Sequence, residues 1–403
     1  MLKNIIIIQD FAMINGGNAK VAITSAIALK EKGYNIVFFS GMGPVEPSLI
    51  EAGVHVICLN QNDVIHSNKF VGFFRGFWNP TALSKLNEVL NKYDNHDTIV
   101  HLHGWNKVLS PSVWQPLHKG KYKVVVTMHD YFAFCPNLGL FNYKKKKICQ
   151  IKPSCLKCYL CNCDSRNFIY KLWRDVRQVV QWIEFLKYGK INVIAIGQTN
   201  YKLVKKYFGK HISNLYKLQN PIEMPKNIDI DIKNNNLYLF IGRLSAEKGI
   251  DLFCQCMTDL GLKGCVLGDG SLMDYYKSKY PNVQFAGWVK RHQKQYYLSH
   301  AKALIFPSLW YEGSPLTPVE LKSIGIPCIV PDKCAASEEV DDGKTGFIFK
   351  IGQLESLEEA VIKMENANLR KMQSTILADF DATVYSLDTH IESLIHIYED
   401  ILR

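Results

Sequence analysis

The feature that most constrains this chain is a rhythm that runs, stops and starts again. Short β-branched runs at residues 4–8, 36–40, 54–59, 98–102, 123–127 and 192–196 read as strands, with helical periodicity between them at 20–32 and 81–92. That alternation marks βαβ units, because parallel neighbours need a long crossover connection. Around 219–236 the rhythm breaks at Pro221, Pro225 and a run of Asn, Asp and Lys, which reads as an inter-domain linker. It resumes with strands at 238–241, 264–267, 283–285, 303–306 and 328–331 and helices such as 318–324. Right-handed crossovers make each half doubly wound. The expected class is therefore α/β, with two Rossmann-like domains over 1–218 and 237–385 facing across a cleft.

The 403 residues, 47% apolar and 21% charged, suit two globular cores. No apolar run approaches the roughly 20 residues that cross a bilayer. The isoleucine run at 5–8, followed by Asp10, reads as a buried strand and not as a signal peptide, so a cytoplasmic protein is expected. Net charge is +11, and the stretch 144–190 holds 12 Lys/Arg against three Asp/Glu. Nothing there resembles a zinc finger, a basic zipper or an aromatic RNA-binding signature, so no nucleic-acid partner is expected. Phosphorylated small molecules and anionic membranes remain.

Ligands of open parallel sheets bind beyond the carboxyl ends of the strands, so the residues that follow strands matter most. After 238–241 comes Gly242-Arg243-Leu244-Ser245-Ala246-Glu247-Lys248-Gly249. Arginine and lysine beside a helix start suit a diphosphate, through a guanidinium fork, a point charge and free amides. A solvated basic turn is the plainer alternative. Gly268-Asp269-Gly270 forms a second tight turn, and Met273 in place of a third glycine argues against a dinucleotide fingerprint. The third segment is Pro307-Ser308-Leu309-Trp310-Tyr311-Glu312-Gly313-Ser314-Pro315-Leu316-Thr317-Pro318-Val319-Glu320, with two carboxylates that have seven residues between them. A helix-dipole role explains one glutamate but not both across this loop.

These segments, in this order and with the later turn Asp342-Gly343-Lys344-Thr345-Gly346-Phe347, resemble the C-terminal domain of retaining GT-B glycosyltransferases of family 4. The resemblance implies that Arg243 and Lys248 hold the donor diphosphate beside Gly268 and Gly270. Glu320 would bind the ribose, and Glu312 with Gly313, Ser314, Pro315, Leu316 and Thr317 would contact the sugar. In the first half, Asn15-Gly16-Gly17 matches the family's glycine loop facing the diphosphate, where a Cβ would block close approach. Thr127-Met128-His129-Asp130 matches its His-Asp motif, whose histidine reaches the transferring sugar. His129, Arg243, Lys248 and Glu312 are thus the catalytic candidates. His103 and Asp130, with His101, are acceptor-side candidates. The helix at 386–403 is expected to cross back onto the first domain.

The implied activity is a retaining, hexosyltransferase-type transfer from a UDP- or GDP-sugar to a glycan or polyprenyl-linked glycan, in capsule, exopolysaccharide or O-antigen assembly. Metal is not required for diphosphate departure when fixed cations stabilise the charge. The Asp229-Ile230-Asp231 and Asp379-Phe380-Asp381 triplets lie in the linker and near the tail, so neither reads as a donor-metal motif. A sugar-nucleotide epimerase or another GT-B-fold enzyme is the nearest alternative, and a non-catalytic nucleotide-sugar-binding protein the second.

Six cysteines cluster within the expected insertion 131–165: Cys135, Cys149, Cys155, Cys158, Cys161 and Cys163. Clustered cysteines in a cytosolic chain suggest metal before disulfides, with a structural zinc first, free thiols second and an iron–sulfur cluster third. The stretch 166–190 then predicts an amphipathic helix. With the lysines at 144–147 it resembles a monotopic anchor on the cytoplasmic face of the inner membrane; an ordinary packed surface helix is the alternative.

Overall fold

A computed structural model describes residues 1–64, 66–225, 228 and 230–403; Asp229, one member of the linker triplet, lies outside the described residues. In the first half the strands are β1 (Asn4–Phe11), β2 (Asn35–Met42), β3 (His55–Cys58), β4 (Thr98–Leu102), β5 (Lys123–Met128), β6 (Phe141–Asn142), β7 (Lys147–Ile148), β8 (Ile191–Ala195) and β9 (Ile212–Lys217). Seven form one parallel sheet in the order β3-β2-β1-β4-β5-β8-β9, and β6 and β7 make a separate antiparallel hairpin. Ile5, Ile6, Ile7 and Ile8 are all fully buried, because a parallel strand with helices on both faces has no solvent side.

The second half holds β10 (Leu237–Ile241), β11 (Lys263–Leu267), β12 (Gln284–Gly287), β13 (Ala301–Ile305), β14 (Cys328–Pro331) and β15 (Gly346–Phe349). They form a parallel sheet ordered β12-β11-β10-β13-β14-β15. In each sheet the strand order reverses once, between β1 and β4 and between β10 and β13. Such a reversal opens a crevice at the carboxyl ends, where a ligand can enter.

The chain crosses between domains twice. Outbound, Ile222 N donates to Tyr385 O of the returning segment at 3.1 Å. The returning helix Leu387–Leu402 buries Ile391, Leu394, Tyr398 and Ile401 in the same core as Ile5, Ile7, Ala22 and Phe38 of the first domain. Tyr398 Oη meets His101 Nδ1 at 2.7 Å, so this helix is tied to β4 by a polar bond as well as by packing.

Among the elements beyond the sequence reading are β9, β15 and a short helix before residue 78. β9 is an edge strand with no buried residue, and β15 begins at Gly346, the end of the glycine turn. The helix Lys69–Phe77 carries Gly72 and Gly76, which weaken its helical signal. Asn68 caps it by accepting from Phe70 N at 3.0 Å.

Candidate functional site

The wall after β10 is built by close backbone approach. At Gly249, with φ +70°, a Cβ would stand 2.0 Å from Pro307 O; at Gly268, with φ +150°, 1.8 Å from Gly242 O. Only glycine fits either position, and this locks the loops after β10, β11 and β13 together. On that frame Arg243 pairs with the buried Glu247 at 3.0 Å, and Ser245 Oγ donates to the same carboxylate at 2.7 Å. Lys248 Nζ reaches Glu312 Oε1 at 2.7 Å. Ser308 Oγ donates to that oxygen at 2.6 Å, and the Trp310 ring lies 5.6 Å from the ammonium. Glu312 itself has φ 54°, an uncommon conformation for a residue with a side chain.

The opposite wall comes from β1, β4 and β5. Asp10, at the end of β1, accepts from the amides of Lys107, Val108 and Leu109 at 2.8–2.9 Å and so shapes the loop after β4. Burial raises its carboxyl above the ordinary range against those bonds. His129 Nε2 lies 2.9 Å from His103 Nδ1. Burial pushes His129 down to about 3 and holds His103 and His101 well below the ordinary range, so all three are neutral near pH 7.

Between the walls lies a cavity of about 550 Å³. His129, Arg243, Lys248, Gly268 and Glu312 line it, with Gly17 and residues 313–317. The walls touch at its floor. A Cβ on Gly313 would meet His129 O at 2.7 Å, and Tyr131 Oη donates to Glu312 O at 2.8 Å. Nearby, Glu338 of the second domain accepts from Gln198 N at 2.8 Å and from Thr199 N at the start of helix Gln198–Phe208. The insertion reaches the same loop, since Gly139 packs on the Trp310 ring.

Other expected residues stand elsewhere. Glu320 lines a neighbouring cavity of about 660 Å³ and is paired with Lys294 at 2.5 Å; Lys294, Trp288 and Leu316 line both cavities. Gly16 and Gly270 are not among the lining residues: a Cβ on Gly16 meets open space, while one on Gly270 would strike Leu244 O at 2.6 Å. A Cβ on Gly17 would stand at an ordinary contact distance, 3.7 Å from Leu316 Cδ1 across the cleft, so the protein's own atoms demand glycine at neither position of this loop. His103 and Asp130 border a small pocket behind His129. Asp130 accepts from Phe132 N at 2.8 Å, and burial raises its carboxyl. His101 is fully buried between Tyr398 Oη and Thr127 Oγ1, each at 2.7 Å, which makes it a structural residue. Trp288 and Lys294 were not picked out from sequence; Trp288 follows Gly287 at the end of β12, so the post-strand rule could have found it.

Of the six clustered cysteines, Cys135, Cys149, Cys158 and Cys163 border one small closed pocket with Lys171, and Cys155 and Cys161 do not. Among the described residues no three His, Cys, Asp or Glu side chains are grouped so as to hold a metal ion. Burial pushes the Cys135 thiol up to about 12 and raises those of Cys149, Cys158 and Cys163.

Residues 225–376 match the family model of glycosyl transferases group 1. That match falls on the second domain. A Klebsiella pneumoniae protein described as "Uncharacterized 41.2 kDa protein in cps region" is 23% identical over 359 residues, 87% of this chain and 92% of its own length. An Escherichia coli UDP-Gal:alpha-D-GlcNAc-diphosphoundecaprenol alpha-1,3-galactosyltransferase is 22% identical over 188 residues, 42% of this chain and 47% of its own. The crystal structure of Anabaena HepE in complex with UDP superposes with a TM-score of 0.68 at 15% identity, over 99% of this chain and 100% of that chain. The segment that matches the group 1 model thus lies within a GT-B fold that spans the whole chain.

Proposed function

We propose that this protein is a retaining, metal-independent glycosyltransferase that moves a sugar from a UDP- or GDP-sugar to a glycan or polyprenyl-linked glycan during cell-surface polysaccharide assembly. The observation that carries this reading is the meeting of Arg243, Lys248, Glu312 and His129 around one inter-domain cavity. Departure of a nucleoside diphosphate leaves negative charge, and two cations held in place by Glu247 and Glu312 stabilise it without reorganisation. The anomeric carbon loses its bond to the diphosphate oxygen as the acceptor oxygen bonds to it on the same face. The acceptor proton passes to the departing diphosphate. His129, neutral at this pH, offers the sugar a hydrogen bond and no charge. Glu320 and Lys294 serve the ribose side, and the insertion with His103 and Asp130 frames the acceptor side.

The capsule-region relative and the undecaprenol-linked substrate in the Escherichia coli enzyme's name support the choice of acceptor class. The test is a donor-hydrolysis and transfer screen across UDP-, GDP- and ADP-sugars with and without EDTA, with the anomer of the product read by NMR. Turnover of one donor class that survives EDTA and keeps the donor's configuration is expected. Absence of turnover with every donor, or an inverted product, would refute the reading.

A further inference from the structure

The helix Phe168–Tyr188 faces the opposite way from an ordinary surface helix. Lys171, Asp175, Arg177, Gln178, Gln181 and Glu184 point inward and are buried. Ile169, Leu172, Val176, Val179, Ile183 and Leu186 point outward and are 46–73% exposed. The cause lies in the irregular backbone beneath. Its carbonyls need donors, and the helix supplies them: Lys171 Nζ to Cys158 O at 3.1 Å, Arg177 to Asn106 O at 2.7 Å, Gln178 to Ala133 O at 2.9 Å and Gln181 to Phe132 O at 3.1 Å. With its polar side committed inward, the helix turns its apolar row to solvent.

The helix Lys69–Phe77 widens that row into a patch. It is seated on Trp173, whose ring lies 5.3 Å from that of Phe77 and whose Nε1 donates to Phe73 O at 3.1 Å. Phe70 is 77% exposed and Phe74 59%. A continuous apolar face of this kind marks an interaction site.

Along 151–190 the exposed charge has one sign. All three acidic residues of 151–190 are buried in ion pairs: Asp164 with Arg174, Asp175 with Lys171, and Glu184 with Lys187. Lys152, Lys157, Arg166 and Lys190 remain exposed. The lysines at 144–147 are not needed for this, and they sit on the β6–β7 hairpin, where Lys146 influences Asp251 of the second domain.

We propose that the two helices form a docking surface for an anionic lipid membrane, with Phe70 and Phe74 entering the interface and the exposed cations meeting the headgroups. A second copy of the chain fits less well. It would bring the same positive charges against these.

The test is co-sedimentation of the full chain with phosphatidylcholine vesicles that contain or lack phosphatidylglycerol. Salt-sensitive binding to the anionic vesicles alone is expected. The pair F70S/F74S, and separately V176S/V179S, should weaken it roughly tenfold or more, as lost apolar insertion requires. The pair R166E/K190E should weaken it while leaving every apolar group in place, and unchanged thermal unfolding would show that each variant is folded. Failure of the wild type to bind either vesicle, or full binding by F70S/F74S, overturns the proposal. A wild-type dimer that V176S/V179S dissociates, without vesicle binding, would assign the face to a second copy instead.

Discussion

Glu312 holds Lys248 from a backbone in the left-handed region: φ is 54° and the carboxylate-to-ammonium distance is 2.7 Å. The unusual backbone also turns the Glu312 carbonyl towards Tyr131 Oη, so one residue fixes a cation and joins the two domains.

Removing the cation should be costly. Lys248→Ala is expected to lower turnover by roughly 10²–10³, the scale of one preorganised charge donor, with a smaller effect on KM. Steady-state kinetics with the preferred donor decide it. Near-wild-type turnover would sink the assignment of Lys248.

The glycine frame makes a second prediction. Gly249→Ala should destabilise the second domain by about 3 kcal/mol or more, because the added Cβ would lie 2.0 Å from Pro307 O. Gly343→Ala is the control. It has a similar positive φ of +78° but open space around the Cβ, so only the backbone preference of about 1–2 kcal/mol is lost. Equal losses in urea unfolding would mean that packing at Gly249 is unimportant.

Buried neutral histidines set the acid response. Burial holds His129 at about 3 and His390 at about 4, and keeps His101 and His103 well below the ordinary range. In the unfolded chain each protonates near pH 6.5. Between that value and about pH 4 the unfolded state therefore binds more protons, and stability falls as pH falls, by up to about 1.4 kcal/mol per pH unit per histidine. Asp10 and Asp130, raised by burial, act in the opposite sense where their carboxyls protonate. Urea midpoints at about pH 7 and pH 5 should differ clearly; identical midpoints would contradict the burial of these rings.

The cysteine segment can be read by reactivity. A thiol reagent at mildly alkaline pH should modify the partly exposed Cys155 and Cys161 in the native protein and reach Cys135 and Cys163 only on unfolding. Native labelling of Cys135 as fast as Cys155 would contradict the closed pocket. Metal analysis of the same preparation tests the zinc reading, and roughly one equivalent would mean that the pocket-lining thiols close on an ion.

The fold class was legible because two periodicities alternate along the chain and stop at one linker. The cavity-lining residues were legible because Arg243, Lys248, Gly268, Glu312 and His129 all follow strands. Lys294 was not, since it is one lysine among many on a helix and gains meaning only beside Glu320. Nor was the direction of the helix Phe168–Tyr188. Periodicity shows that an apolar row exists, but which side faces the core depends on carbonyls far away in sequence, at Asn106, Phe132 and Ala133.

The helix Leu387–Leu402 has a consequence for synthesis. Its side chains complete the core of the first domain, yet the ribosome makes them only after the whole second domain. Until then the groove over Ile5, Ala22 and Phe38 stays uncovered. The early half thus carries bare apolar surface for as long as the second domain takes to be made, and is the part a chaperone would have to shield.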